Sequence, residues 1–144
     1  MSMALLAVAS CGKDNDETLD PEGDIFKAKI EGKQFNSDNV TGTQVFGIIM
    51  IGATFGADAE TFDLTLIATD EGTYSFDTQS DVAGFYVPSA LSSTEQFGAY
   101  TGSLTIEKHD AAKKRISGVF EFDGINADNE TIQITDGFFD LVYQ

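Results

Sequence analysis

Residues 100–143 read YTGSLTIEKHDAAKKRISGVFEFDGINADNETIQITDGFFDLVY, and their pattern decides the fold class. Leu104 and Ile106 alternate with Ser103, Thr105 and Glu107. That two-residue period belongs to a strand with one face in a core. The polar or small run 109–114 then serves as a connection. In the second strand Ile116, Gly118, Phe120 and Phe122 share one face; Ser117 and Glu121 take the other, with Val119 between them. Asp123 with Gly124, and then residues 126–130, form a turn cluster. The third strand starts with Ile132 and Ile134 facing in, but after Thr135, Asp136 and Gly137 the inward phase moves to Phe139, Leu141 and Tyr143. A one-residue slip would turn a core face into water. A β-bulge at Asp136 and Gly137 restores the phase, because one extra residue re-aims the side chains that follow. The stretches 116–122 and 135–141 are alike around their glycines. They read as two strands making the same bend, not as a solenoid repeat.

The rest of the chain adds strands to this meander. Phe26, Ala28 and Ile30 alternate with Lys27 and Lys29, and Glu31 with Gly32 turns the chain into Lys33, Gln34 and Phe35. This is a hairpin with a two-residue loop. Residues 36–43 read as a polar loop. Residues 45–55, VFGIIMIGATF, are uncharged and apolar on both faces. They are too few to cross a bilayer as a helix. They predict a central strand covered on both sides, or one facing an internal cavity. After a turn at 56–60, Phe62, Leu64, Leu66 and Ala68 alternate with Thr61, Asp63, Thr65 and Thr69. Turns at 70–72 and 78–81 bracket a short strand from Thr73 to Phe76. Residues 82–87 form another strand, which Pro88 ends. Residues 89–96 read as a polar loop. The spacing predicts an all-β domain over 24–144, an antiparallel sandwich or an up-and-down barrel of about eight or nine strands.

Composition agrees. The chain has 144 residues, the length of one domain. With 42% apolar residues and 12 Phe, it can bury roughly two-thirds of its unfolded surface and needs no disulfide or metal staple. The strand residues are β-branched and aromatic, and no amphipathic helix pattern appears. Eight Lys+Arg stand against 24 Asp+Glu, a net charge of −16. That balance repels polyanions, so nucleic acid is not an expected partner, and charge would not draw the chain to an anionic membrane. The acidity itself reads as solubility.

The N-terminus carries a different signal. Residues 3–9 are a short apolar run, and Cys11 is the one cysteine in the chain. Val8, Ala9, Ser10 and Cys11 resemble a bacterial lipobox. The resemblance implies cleavage before Cys11 and acylation of its thiol, with the membrane as partner through that anchor. No Lys or Arg precedes Cys11 to supply a basic n-region. Residues 1–10 therefore read as a signal-peptide remnant. An unpaired cysteine in an exported protein needs a reason, and lipidation gives one. Acyl chains contribute about 0.8 kcal/mol per buried CH₂, enough for two or three to hold a protein on a membrane. Residues 13–24, KDNDETLDPEGD, are too acidic to pack, so 11–23 read as lipidated cysteine and tether. Counted from Asp14, an EF-hand would need Gly and Glu where Leu19 and Ile25 stand. An acidic run behind the cysteine resembles the signal that sends lipoproteins of Bacteroidota to the cell surface.

The whole pattern resembles the small β-rich lipoproteins of Bacteroidota, a domain of unknown function. It is carried by the lipobox, the acidic tether, FKAKIEGKQF at 26–35, Gly72 to Tyr74, TGSLTI, ISGVFEF and ITDGFF. The resemblance implies an outer-membrane lipoprotein of the bacterial cell envelope, with the cell surface as its address, and it brings no activity.

A search for chemistry yields little. His109, between Lys108 and Asp110, is the one histidine and reads as an exposed turn residue. With Cys11 acylated, no Ser–His–Asp or Cys–His site is expected. Zinc lacks its His and Cys ligands, and no cofactor motif appears. Tyr74, Tyr86 and Tyr100 could form a sugar platform but read as core or rim packing. Asp123, Asn126, Asp128 and Asn129 offer oxygens to Ca²⁺, yet turn chemistry explains them. Among 24 acids no catalytic pair stands out. The leading expectation is a non-enzymatic, lipid-anchored envelope domain acting as a binding or accessory module for a protein or glycan. One alternative is a carrier of a small apolar ligand in a barrel cavity beside residues 45–54. The other is a carboxylate-based glycan hydrolase.

Overall fold

The structure is a computed structural model describing residues 24–37, 39–78, 80–89 and 95–144. Cys11, the remnant 1–10 and the acidic tether lie outside the described residues. Ten strands are present among those described: β1 Ile25–Ile30, β2 Lys33–Ser37, β3 Asn39–Val45, β4 Ile48–Phe55, β5 Glu60–Leu66, β6 Gly72–Ser75, β7 Val82–Val87, β8 Phe97–Asp110, β9 Arg115–Ile125 and β10 Thr131–Val142. Every pairing is antiparallel. The order across the sheet is β2-β1-β10-β9-β8-β7-β5-β4-β3, and β6 pairs with β8 alongside β7. The first strand thus sits beside the last.

The sheet closes nearly into a barrel, and the closing piece is β2 with β3. Through Ser37 this run pairs with β1, and from Asn39 it pairs with β4. On its other edge Gln144 N donates to Gly42 O at 2.9 Å, and Gln44 N donates to Gln144 O at 3.0 Å. Ser37 Oγ donates to Thr54 O across the seam at 2.8 Å. Residues 36–37 and 39–43 are therefore strand rather than the expected loop. Their pattern hid this because β3 buries only Gly42, so no apolar alternation marks it.

Residues 45–55 also depart from expectation. They are not one central strand. Phe46 (φ 54) and Gly47 (φ 81) make a two-residue turn between β3 and β4, the paired left-handed conformation of a tight hairpin. In β4, Ile49, Ile51 and Ala53 are buried, while Met50 on the outward face is 43% exposed. Glu31 (φ 51) and Gly32 (φ 83) make the expected turn of the same kind between β1 and β2.

The bulge at Asp136 is present. β10 pairs Gly137 with Phe120 but Ile134 with Phe122, so it carries one extra residue there. Asp136 takes φ 52, and Ile134, Phe139, Leu141 and Tyr143 all reach the core. At Gly137 a Cβ would meet the Phe120 ring at 2.5 Å, closer than packed atoms approach, so the bulge and the ring need glycine together. β8 carries two further bulges against β9. Ser117 pairs with Lys108 and Gly118 with Ile106, and Asp123 pairs with Thr101 and Gly124 with Ala99. The extra residues are Glu107 and Tyr100.

The interior is filled with aromatic rings. Phe62 lies 5.0–6.4 Å, centroid to centroid, from Phe26, Phe35, Tyr86, Phe120 and Phe122. Tilted and edge-on contacts at these distances are favourable packing. Phe76 continues the cluster from Phe122 at 5.2 Å, and Phe139 from Phe120 at 6.4 Å. Among the described residues no helix is long and apolar enough to cross a membrane.

Candidate functional site

The bulge at Glu107 decides what one end of the barrel presents. Without it, alternation would send Lys108 inward after Leu104 and Ile106. The extra residue instead puts Lys108 opposite Ser117 on the outer face. Ser117 in turn faces Asp140 on β10, and the neighbouring row is Asp110, Arg115 and Val142. These six side chains, with Lys113, line a cleft on the outside of β8, β9 and β10.

Its floor is an ion pair. Arg115 Nε lies 3.1 Å from Asp140 Oδ1, with the side chains 13% and 3% exposed. Close to neutral as a pair, they leave Lys108, Lys113 and Asp110 as the other charged residues lining the cleft. Lys113 N also donates to Asp110 Oδ1 at 3.1 Å, which fixes the turn. The cleft thus holds three cations and two carboxylates in a chain whose net charge is −16. Lys108, Lys113, Lys114 and Arg115 are four of the eight Lys+Arg in the whole sequence. Ammonium and guanidinium groups beside a buried hydroxyl can take an anionic oxygen group, a carboxylate, sulfate or phosphate. The clustering is visible in the sequence; its convergence with Asp140 depends on the bulge.

His109 is moved by the same bulge, and here the expectation fails. It is not an exposed turn residue; β8 runs on to Asp110 and the turn is 111–114. His109 pairs with the inward-facing Ile116 and is half-buried at the barrel end. Its Nδ1 lies 2.7 Å from Thr69 O. A carbonyl only accepts, so Nδ1 carries the proton. In the neutral ring Nε2 then accepts from Tyr143 Oη, 2.7 Å away. Burial, with a smaller contribution from the charge of Asp110, pushes the Tyr143 phenol up. His109 ties the loop after β5 to the C-terminal end and points away from the cleft.

The other candidates are held in structural roles. Tyr86 is buried; burial first, and then the hydrogen bond and charge of Glu60, push its phenol up. Its Oη donates to Glu60 Oε2 at 2.7 Å. Tyr74 donates to Asp70 O, and Tyr100 is 43% exposed at its bulge. The three do not form one platform. Asn126 organises the 126–130 turn: Oδ1 accepts from Asp128 N and Glu130 N, and Nδ2 donates to Glu130 Oε1. That is turn chemistry, as expected. Among the described residues no group of three or more His, Cys, Asp or Glu converges to hold a metal.

A family model described as a domain of unknown function, DUF6252, matches residues 23–142. The chain belongs to the DUF6252 family. Neither a curated protein nor a solved structure matches it. The DUF6252 match spans the whole barrel from just before β1 to the end of β10. The matched part of this chain is therefore its barrel, and the family's description brings no activity.

Proposed function

We propose that this DUF6252 chain is a non-enzymatic binding module of the bacterial cell envelope. An acylated Cys11 holds it on the outer membrane, and the acidic tether lets it face outward, as in lipoproteins of Bacteroidota. It recognises an acidic group on a protein or glycan partner at the cleft of β8, β9 and β10. The gathering of three of the chain's eight cations around that cleft carries this reading. Scattered lysines would serve solubility as well; concentrated ones give complementarity to an anionic group. A carrier would need open space where the Phe62 cluster packs. A hydrolase would need free carboxylates, and Asp140 is committed to Arg115.

The test is a photo-cross-linking residue at Val142, on the cleft wall, in the native envelope. A discrete adduct is expected. Lys108→Glu with Lys113→Glu should lower its yield about tenfold, because reversed charges repel the group the originals attract. An undiminished adduct in the double variant, or no adduct in the unaltered cleft, overturns the reading.

A further inference from the structure

Phe46 is 99% exposed at the tip of the hairpin between β3 and β4. The turn does not need it. Its φ of 54 favours Asn, Asp or Gly, and a bulky residue there costs about 1–2 kcal/mol. Val45 (43%), Met50 (43%) and Ile67 (46%) are exposed as well. Val45 pairs with Ile48, and Met50 follows two residues later on the same outward face. Ile49 pairs with Leu66, which brings Ile67 next to Ile48. Five apolar side chains therefore gather at one end of the barrel. A single exposed apolar residue is ordinary, but a contiguous patch led by a projecting ring marks an interaction surface.

The described chain begins at this same end. Asp24 Oδ1 accepts from Val142 N, while Gln144 bonds to Gly42 and Gln44, just before the hairpin tip. Asp24 and Gly42 thus meet the same edge of the C-terminal end two residues apart, roughly 7 Å along it. Thirteen residue steps separate Cys11 from Asp24, so wherever that cysteine is held Asp24 can be no farther away than about 45 Å. A barrel held by that cysteine keeps this end close to the bilayer. Lys114 lies there too, where Tyr143 N donates to its carbonyl oxygen, and a long stem of this kind reaches along an interface. Glu71 and Asp110 share the end, with Glu71 Oε2 accepting from His109 N. Charge there does not select an anionic surface, so apolar insertion must supply the contact.

We propose that this end of the barrel docks on a lipid bilayer, with Phe46 inserted and Val45, Ile48, Met50 and Ile67 at the interface. The proposal rests on the anchor reading above for its orientation. The chain has no Trp, so Phe46→Trp places a single indole at the tip. The acylated full-length chain is bound to vesicles of phosphatidylcholine and phosphatidylethanolamine with brominated acyl chains. The indole emission should shift to the blue and be quenched by the bromines. On the unacylated Cys11→Ala chain, Phe46→Asn, which suits the turn, should lower vesicle partitioning about tenfold, as expected for losing one inserted aromatic side chain. Emission that stays that of a water-exposed indole on vesicle-bound chain overturns the docking and leaves the anchor standing. A blue shift without vesicles that grows with protein concentration also overturns it, because a second copy then covers the patch. Quenching on a chain that proves not to be acylated at Cys11 would keep the docking and remove the anchor.

Discussion

Phe62→Ala lowers the free energy of unfolding by about 3–5 kcal/mol, the range for truncating a buried aromatic residue in a core that cannot collapse. Phe62 has no exposed surface and touches five other rings. Those rings come from β1, β2, β7 and β9, so no single strand can move to fill the void. Domains carry only about 5–15 kcal/mol in total, so the variant should unfold at a much lower urea concentration with an unchanged slope. Phe62→Leu keeps most of the volume and should cost clearly less, about 1–1.5 kcal/mol. Equal, small losses for both would mean that the interior is loose, and would move the carrier reading ahead of the binding module.

Gly102→Ala should be as damaging, for a backbone reason. Gly102 has φ +126, where a residue with a Cβ is strained. A Cβ there would overlap Glu121 O and stand 2.6 Å from Phe122 Cα. Both are main-chain atoms of β9, which cannot rotate away as a side chain can. The substitution must open the pairing of β8 with β9 beside the Tyr100 bulge, at a cost of about 3 kcal/mol or more when strain and overpacking combine. Gly32→Ala is the control. It also has positive φ (+83) but meets nothing within 4 Å, so it should lose only about 1–2 kcal/mol. Urea unfolding of the pair separates close approach from turn strain; similar losses would contradict the account.

Much of this architecture was legible, and the reasons are local. The 100–143 meander announces itself because Leu104, Ile106, Ile116, Phe120 and Phe122 keep a two-residue period. The phase slip after Ile134 betrayed the Asp136 bulge because apolar residues stand on both sides of it. The bulge at Glu107 gave no such signal, since Glu107, Lys108, His109 and Asp110 are all polar and a slip among them changes no hydrophobic pattern. The cleft and the inward turn of His109 were hidden with it. β3 was missed for a related reason: it closes the barrel through main-chain bonds and contributes almost nothing to the core. The opposite error arose at 45–55, where an unbroken apolar run concealed a turn. The left-handed Phe46 breaks the rule that turns are polar, and the docking inference begins from that breach.

Under the proposed function, the protein works on the outside of a filled barrel held at a membrane. The intact mass of the protein, extracted from its own membranes and measured first under native and then under denaturing conditions, tests this most directly. The expected result is a chain beginning at Cys11 with a covalent lipid increment that survives denaturation, and no small molecule released. An unacylated chain in the soluble fraction, or a discrete apolar ligand lost on denaturation, would contradict it.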